Sequence, residues 1–568
     1  MPLASHIHLF SSDGGSRHGN DGVPPSGGGK ASAVISNKIL VCKMKKILLG
    51  DEAYAQGVLD AGLSGCYAYP GTPSTEIMEY VQNSKLAAER NIHREWSSNE
   101  KTAMEEALGV SYAGKRAIVC MKHVGLNVAG DGFVNSAVTG TNGGLLVTVA
   151  DDPSMHSSQN EQDSRFYAQF AMIPCIEPSS QQECYDLAKY AFELSEKNEI
   201  PVLIRLTTRL SHSRSNIETA DAPSDMNALH APSNPRRFVL LPAIAKSNVK
   251  KLCEKQADFA KLSEESPFNK LTDGADTSLG IVATGIAYNY VMEAFGGNCP
   301  YPILKISQYP LPKKQLSTLL NECDKIMVVE EGAPFVESQL RGPLEDPRIM
   351  GRLTGHLPRT GELNPYLVAK AFNLKVAEPP AIPDLVKVRP PRLCDGCPHV
   401  STYNALKEAI GKFADPRVFG DIGCYTLGAL PPFQAISSCV DMGASVTMAK
   451  GAADAGIHPS VAVIGDSTFT HSGMTGILDA VWENANITVM ILDNGTTGMT
   501  GGQTSIGAGR LETICVGLGV NPDHVKVITP LPQKHAENVE TITAELQYEG
   551  LSVIVARREC IQTLRRKK

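Results

Sequence analysis

Short runs of apolar or β-branched residues, at Ala117 to Met121, Gly144 to Ala150 and Pro201 to Arg205, alternate with helix-length segments at 99–113 and 180–196. Runs without polar alternation mark strands buried on both faces, and their alternation with helices predicts a parallel α/β sheet over 44–215. A polar stretch from 214 to 236, carrying Pro223, Pro232 and Pro235, breaks that rhythm and predicts a linker region, taken as 216–275. A smaller α/β unit follows at 276–375, with strands at Leu279 to Ala283 and Lys325 to Glu330. Prolines 379, 380, 383, 390 and 391 mark a second linker, 376–391. Beyond it 392–568 is again α/β, with strands at Val461 to Ile464, Thr488 to Leu492 and Leu551 to Val555. Residues 1–43 are rich in Gly, Ser and His and predict a disordered extension; Met44-Lys45-Lys46-Ile47 reads as an alternative start.

A chain of 568 residues exceeds one hydrophobic core, in keeping with several domains. With 42% apolar and 20% charged residues it has the composition of a globular protein. The net charge of −7, with interspersed signs, offers no basic face and argues against nucleic-acid binding. No apolar run reaches the roughly 18–20 residues a membrane span needs, and no signal-peptide core is evident, so a cytoplasmic location is expected. The 14 cysteines are scattered, which predicts reduced thiols and makes any cluster a metal candidate before a disulfide framework.

The first candidate chemistry lies in the last unit. Val461 to Ile464 runs into Gly465-Asp466-Ser467, and the next strand runs into Asp493-Asn494-Gly495. Ligands of open parallel sheets bind at the carboxyl ends of strands. Gly465 and Ser467 let backbone approach an anion, while Asp466 supplies a hard oxygen for Mg²⁺. Alone, Gly-Asp-Ser after a strand is ordinarily a turn. About 25 residues between the two motifs, however, suit one β-α-β crossover, which puts both loops on the same edge.

These residues resemble the thiamine-diphosphate superfamily, whose pattern is Gly-Asp-Gly followed by Asn-Asn; Ser467 and Asp493 depart from it. The resemblance implies two doubly wound parallel-sheet domains, pyrimidine-binding and diphosphate-binding, flanking a smaller transketolase-C-like α/β domain. It also implies Mg²⁺ ligation by Asp466, Asn494 and the Thr496 carbonyl, with Gly465, Ser467 and Met442 as further cofactor contacts. Such chemistry needs a carboxylate against N1′ of the aminopyrimidine. Ser98-Asn99-Glu100 opens a helical segment that resembles the one carrying this glutamate, which makes Glu100 the candidate; Glu95 and Glu106 are the alternatives. A glutamate there also has an ordinary explanation, since acids favour first turns.

Tyr69-Pro70-Gly71-Thr72-Pro73-Ser74 resembles the loop of 2-oxoacid:ferredoxin oxidoreductases in which a threonine, here Thr72, contacts the substrate carboxylate. With Lys122 to Asn127, Asp151-Asp152-Pro153, His156 to Arg165, Glu330-Glu331 and Thr500 to Gln503, the chain resembles indolepyruvate ferredoxin oxidoreductase alpha subunits over nearly all of 44–562. That implies oxidative decarboxylation of an aryl pyruvate to aryl acetyl-CoA, with electrons passed to ferredoxin. It further implies a smaller beta subunit and a homodimer of alpha–beta units. Cys394-x-x-Cys397, Cys424 and Cys560 match in order the four ligands of one 4Fe-4S cluster in related enzymes. Zinc is the alternative for a Cys-x-x-Cys pair, and Cys439 and Cys515 are substitute ligands. The family's alpha subunit usually continues into a ferredoxin-like module, whereas this sequence ends at Lys568, so electrons are expected to leave through the single cluster, a ferredoxin or another subunit. A non-oxidative thiamine decarboxylase or synthase, or a silent subunit, are the competing readings.

Overall fold

The computed structural model describes residues 44–378, 381–387 and 390–567. The extension over 1–43 and Pro379, Pro380 and Pro390's neighbours Val388 and Arg389 lie outside the described residues. Among those described, the strands form three main sheets, of seven, five and six strands.

The first runs Gln308–Tyr309, Cys175–Ile176, Val202–Thr207, Leu145–Asp151, Ala117–Lys122, Gly65–Ala68, His93–Trp96. All neighbours are parallel except Gln308–Tyr309, a graft from the middle unit that pairs antiparallel with Cys175–Ile176. Strand Ala117–Lys122 is buried at all but its last residue and Leu145–Asp151 throughout, as unbroken apolar runs between two helical layers require. The middle sheet orders Ile349–Met350, Ile326–Val329, Gly280–Thr284, Ile303–Ile306, Lys270–Thr272, the last antiparallel. The third orders Ser438–Cys439, Arg417–Gly420, Ser460–Gly465, Thr488–Asp493, Ser552–Arg557, Val525–Ile528, parallel throughout. The architecture is α/β, built on parallel sheets.

The stretch 216–275, expected as a linker, is more ordered than its composition suggests. Strand Arg214–Thr219 pairs with Met44–Leu49, and helices Pro242–Glu254 and Gln256–Glu264 follow. Each helix buries few groups, chiefly Leu252 and Phe259, under a charged outer face, which hides the helical period. Ser263 and Asn269 donate to the Gln308 carbonyl at 2.8 and 2.9 Å, fastening this region to the grafted edge strand. No described helix is long and apolar enough to cross a membrane.

The first and middle sheets share a buried ionic joint. Arg205 Nε lies 2.6 Å from Asp151 Oδ2, its Nη1 lies 2.7 Å from Glu177 Oε1, and its Nη2 donates to the Glu331 carbonyl at 3.1 Å. Arg165 adds Asp163 at 2.5 Å and Glu330 at 3.0 Å, and Tyr309 donates to Glu177 at 2.9 Å. Both guanidinium groups are wholly buried, so removing one strands acids in a low-dielectric interior. Arg205→Met should therefore cost about 3–5 kcal/mol of local stability, read as faster hydrogen exchange along strands Val202–Thr207 and Cys175–Ile176; unchanged protection would refute the joint's role.

Candidate functional site

Strand Ser460–Gly465 pairs parallel with Thr488–Asp493, and both end at one edge. There Asp466 opens a short helical turn, followed by a π-turn over Phe469–Gly473 and the return helix Met474–Trp482. Asp466 is 2% exposed and its Oδ2 has no hydrogen-bond partner. Burial, then the nearby Asp493 charge, pushes its acid up to about 7. Asn494 is buried too; its Oδ1 accepts from Thr496 N at 3.0 Å and its Nδ2 reaches His399 Nε2 at 3.3 Å. His399 is pushed down to about 4 by burial, so its neutral ring accepts that bond at neutral pH. A buried carboxylate oxygen without a partner, beside amide and backbone oxygens, suits a hard divalent cation.

The two departures from the motif have structural reasons. Asp493 Oδ2 is held at 2.6 Å by Arg557 Nε, which also pairs with Glu512, so this acid is already engaged. Ser467 Oγ bonds Tyr69 Oη at 2.8 Å and Thr497 Oγ1 at 3.0 Å, joining the first sheet's loop to the third sheet's edge. Gly465 is obligatory for space: a Cβ there would lie 2.6 Å from the Tyr425 ring.

Glu100 is the first residue of helix Glu100–Tyr112, whose cap Asn99 accepts from Thr102 N at 2.8 Å and donates to the His471 carbonyl at 2.9 Å. Its carboxylate is buried and its Oε2 lies 2.7 Å from His471 Nε2. Helix His123–Thr139 closes over it through Gly125, where a Cβ would stand 2.6 Å from Glu100 Oε1. The alternatives point elsewhere: Glu95 is exposed on an edge strand, and Glu106, also exposed, accepts from Ser97 Oγ at 2.6 Å.

Two cavities adjoin. One is lined by Tyr69, Pro70, Cys424, Asp466, Asn494 and Thr496; the other by Glu100, Gly125, Gln159, Gly443 and His471. Met442 lines both.

Thr72 is half-buried on the loop after strand Gly65–Ala68, but its neighbours Tyr69 and Pro70 line the first cavity. The Thr72 carbonyl accepts from Ser157 Oγ at 3.3 Å, and the Ser157 carbonyl accepts from Lys122 Nζ at 3.2 Å. Lys122 ends strand Ala117–Lys122 and packs along Gly71, a cation whose pKa burial lowers. Neither Lys122 nor His471 was singled out as a site residue from sequence. The signal for Lys122 was its strand-end position; His471 had none beyond its nearness to Asp466.

Cys394 and Cys397 form the turn before helix Pro398–Ile410, Cys424 opens a 3₁₀ turn, and Cys560 caps the last helix. Burial, with Cys394 and Cys560 adding to it, pushes Cys397 up to about 11; Cys424 rises to about 12 through burial and the other three thiols. The four therefore face one neighbourhood. Among the described residues, the only His, Cys, Asp and Glu group of three or more with every ligand atom within 4.8 Å of the others is Asp51, Glu76 and His212. Four thiols in one neighbourhood are donors for either zinc or an iron-sulfur cluster. Cys515 is buried in the core, and Cys439 directs its sulfur at the Asp421 carbonyl, 3.6 Å away. The Cys560 amide donates to the Asn494 carbonyl at 3.1 Å, tying the thiols to the anchor.

Two family profiles match: "Pyruvate flavodoxin/ferredoxin oxidoreductase, thiamine diP-bdg" over 56–252 and "Thiamine pyrophosphate enzyme, C-terminal TPP binding domain" over 421–555. The indolepyruvate oxidoreductase subunit IorA of Archaeoglobus fulgidus is 38% identical over 544 residues, covering 91% of this chain and 86% of the relative. That of Pyrococcus abyssi is 38% identical over 562 residues, covering 90% and 85%. The 2-oxoglutarate synthase subunit KorA of Methanothermobacter marburgensis is 26% identical over 200 residues, 34% of this chain and 52% of that one. On this span and identity, the chain belongs to the family of indolepyruvate ferredoxin oxidoreductase alpha subunits, thiamine-diphosphate-dependent 2-oxoacid:ferredoxin oxidoreductases.

Proposed function

We propose that the chain catalyses oxidative decarboxylation of an aryl 2-oxoacid of the indolepyruvate type to the aryl acetyl-CoA, passing electrons to ferredoxin through one 4Fe-4S cluster. The observation that carries this reading is the shared backbone of two sites: Cys424 lines the Asp466 cavity, and Cys560 bonds the Asn494 carbonyl. One-electron chemistry needs an acceptor beside the cofactor, and these thiols are the candidates there.

Bound thiamine diphosphate supplies the electron sink that lets a 2-oxoacid lose CO₂. Asp466, Asn494 and the Thr496 carbonyl would hold Mg²⁺ and the diphosphate, with Gly465 and Ser467 giving the close backbone approach. Glu100 would hold and release a proton at N1′ of the aminopyrimidine. Thr72 and Lys122 would receive the substrate carboxylate, a hydroxyl and a cation at one strand-end loop. The apolar wall of Pro70, Ile422, Leu492 and Met499 suits a flat aryl side chain. Coenzyme A, ferredoxin, a smaller beta subunit and a second copy of the assembly complete the reading, in the cytoplasm.

The deciding experiment is anaerobic purification with iron and cofactor analysis, then CoA-dependent dye reduction by indolepyruvate with and without the beta subunit; iron-free protein that releases aldehyde would identify a non-oxidative enzyme instead. Glu100→Gln should keep cofactor while losing at least about 10²-fold in turnover. Cys397→Ser should lose iron and dye reduction yet still bind thiamine diphosphate. Because Asp466 must be deprotonated to ligate and its acid lies at about 7, Mg²⁺–cofactor affinity should fall as pH drops below 7. The loss should approach about tenfold per pH unit by calorimetry; a flat profile from pH 8 to 5.5 would exclude Asp466 as the ligand.

A further inference from the structure

The Glu100–His471 pair joins residues 371 positions apart and brings the first and third sheets into direct contact. Both side chains are almost fully buried at the edge of the second cavity, at 6% and 1% exposure. His471 grips the glutamate's helix twice: its ring reaches the Glu100 carboxylate at 2.7 Å, and its carbonyl receives the Asn99 cap amide at 2.9 Å. The ring is itself fixed on three sides. Nδ1 lies 2.6 Å from Ser472 Oγ, the Tyr69 ring stands edge-on at 4.7 Å, and the π-turn Phe469–Gly473 sets its backbone. Such π-turn insertions re-aim side chains and are frequent at functional sites. A carboxylate oxygen only accepts, so the contact with Glu100 assigns the hydrogen to Nε2 and leaves Nδ1 to accept from the Ser472 hydroxyl.

We propose that His471 is the positioning residue for Glu100: its Nε2–H occupies Oε2 and fixes the carboxylate plane. That leaves Oε1, against Gly125, as the oxygen that meets the aminopyrimidine. The inference rests on the reading of Glu100 as the activating acid. It adds that the diphosphate-binding domain helps set up its own cofactor's activation, because the orienting donor lies five residues beyond Asp466 on the same turn. Proton transfer needs the acid within hydrogen-bond reach and aligned, so a carboxylate free to rotate works less well even when the cofactor is fully bound.

The test uses the full chain saturated with Mg²⁺ and thiamine diphosphate and measures, by quenched-flow NMR, exchange of the cofactor's C2 hydrogen for deuterium. His471→Met keeps volume and removes the donor; His471→Gln keeps a donor. The Met variant should exchange about 10- to 100-fold more slowly, the scale on which partners that orient a metal ligand act, while cofactor affinity stays at the wild-type level. The Gln variant should recover most of the rate, and His471→Asn, smaller but still a donor, should fall between. Wild-type exchange in His471→Met would overturn the proposal. So would a slowing that tracks weaker cofactor binding, or a Gln variant no faster than Met, since each describes a purely structural residue. If Glu100→Gln itself exchanges at the wild-type rate, the reading of Glu100 fails. A Glu100→Gln variant that has lost exchange beside a His471→Met variant that exchanges normally defeats only the histidine's role.

Discussion

The site depends on one constraint: the carboxyl edges of the first and third sheets must face each other. Neither edge carries the proposed chemistry alone, since Glu100 belongs to one and Asp466 and Asn494 to the other. The contacts that register them are few and polar: Tyr69 with Ser467, Asn99 and Glu100 with His471, and Gln503 with Glu79 at 3.0 Å. A typical hydrogen bond contributes about 0.5–1.5 kcal/mol net and one to a charged group about 1.5–3. This registration is therefore built from directional bonds rather than from a large apolar seam. Direction matters more than strength here, because a carboxylate misplaced by 1 Å loses its function while the fold survives. The first and middle sheets meet differently, through shared apolar cores, wholly buried guanidinium–carboxylate contacts around Arg165 and Arg205, and the grafted strand Gln308–Tyr309.

What the sequence made legible divides along the same line. Strands such as Ser460–Gly465 and Leu145–Asp151 announce themselves, because burial on both faces leaves an unbroken apolar run. Asp466 and Asn494 were readable because the chemistry sits at strand ends only one crossover apart. Glu100, Cys424 and Cys560 needed a family resemblance, since an acid at a helix start or a lone cysteine has an ordinary explanation. The helices in 216–275 were hidden by charged faces burying little more than Leu252 and Phe259. His471 was illegible for another reason: its partner is 371 residues away, and no periodicity encodes that contact.

The departures from the family motif also acquire causes. Asp493 is not a failed metal ligand but half of an ion pair with Arg557 on the neighbouring strand, where the register sets residue 493 opposite residue 557. Its charge still acts at a distance, helping to hold the Asp466 acid near 7. Ser467 replaces a glycine without crowding the anchor because its hydroxyl turns toward Tyr69, converting a tolerance for small residues into a bond between sheets.

Met442 gives the two halves of the site separate surroundings. On one side lie the buried Glu100 and His471; on the other lie Asp466, Asn494 and Cys424, with three more thiols near Cys424. The separation has a chemical logic. Thiolates are soft ligands and ready nucleophiles, whereas a carboxylate that moves protons requires a neighbourhood whose hydrogen bonds are fixed. Met442, lining both cavities, brings a thioether that is only a weak acceptor and has no proton to exchange. The loop that carries Met442 runs on through Gly443, whose positive φ of 92° starts helix Ala444–Asp454 and packs it against Ser472, beside His471. Met442, which lines both cavities, and His471, which bonds the Glu100 carboxylate, are thus brought together by the same loop and helix start of the third sheet.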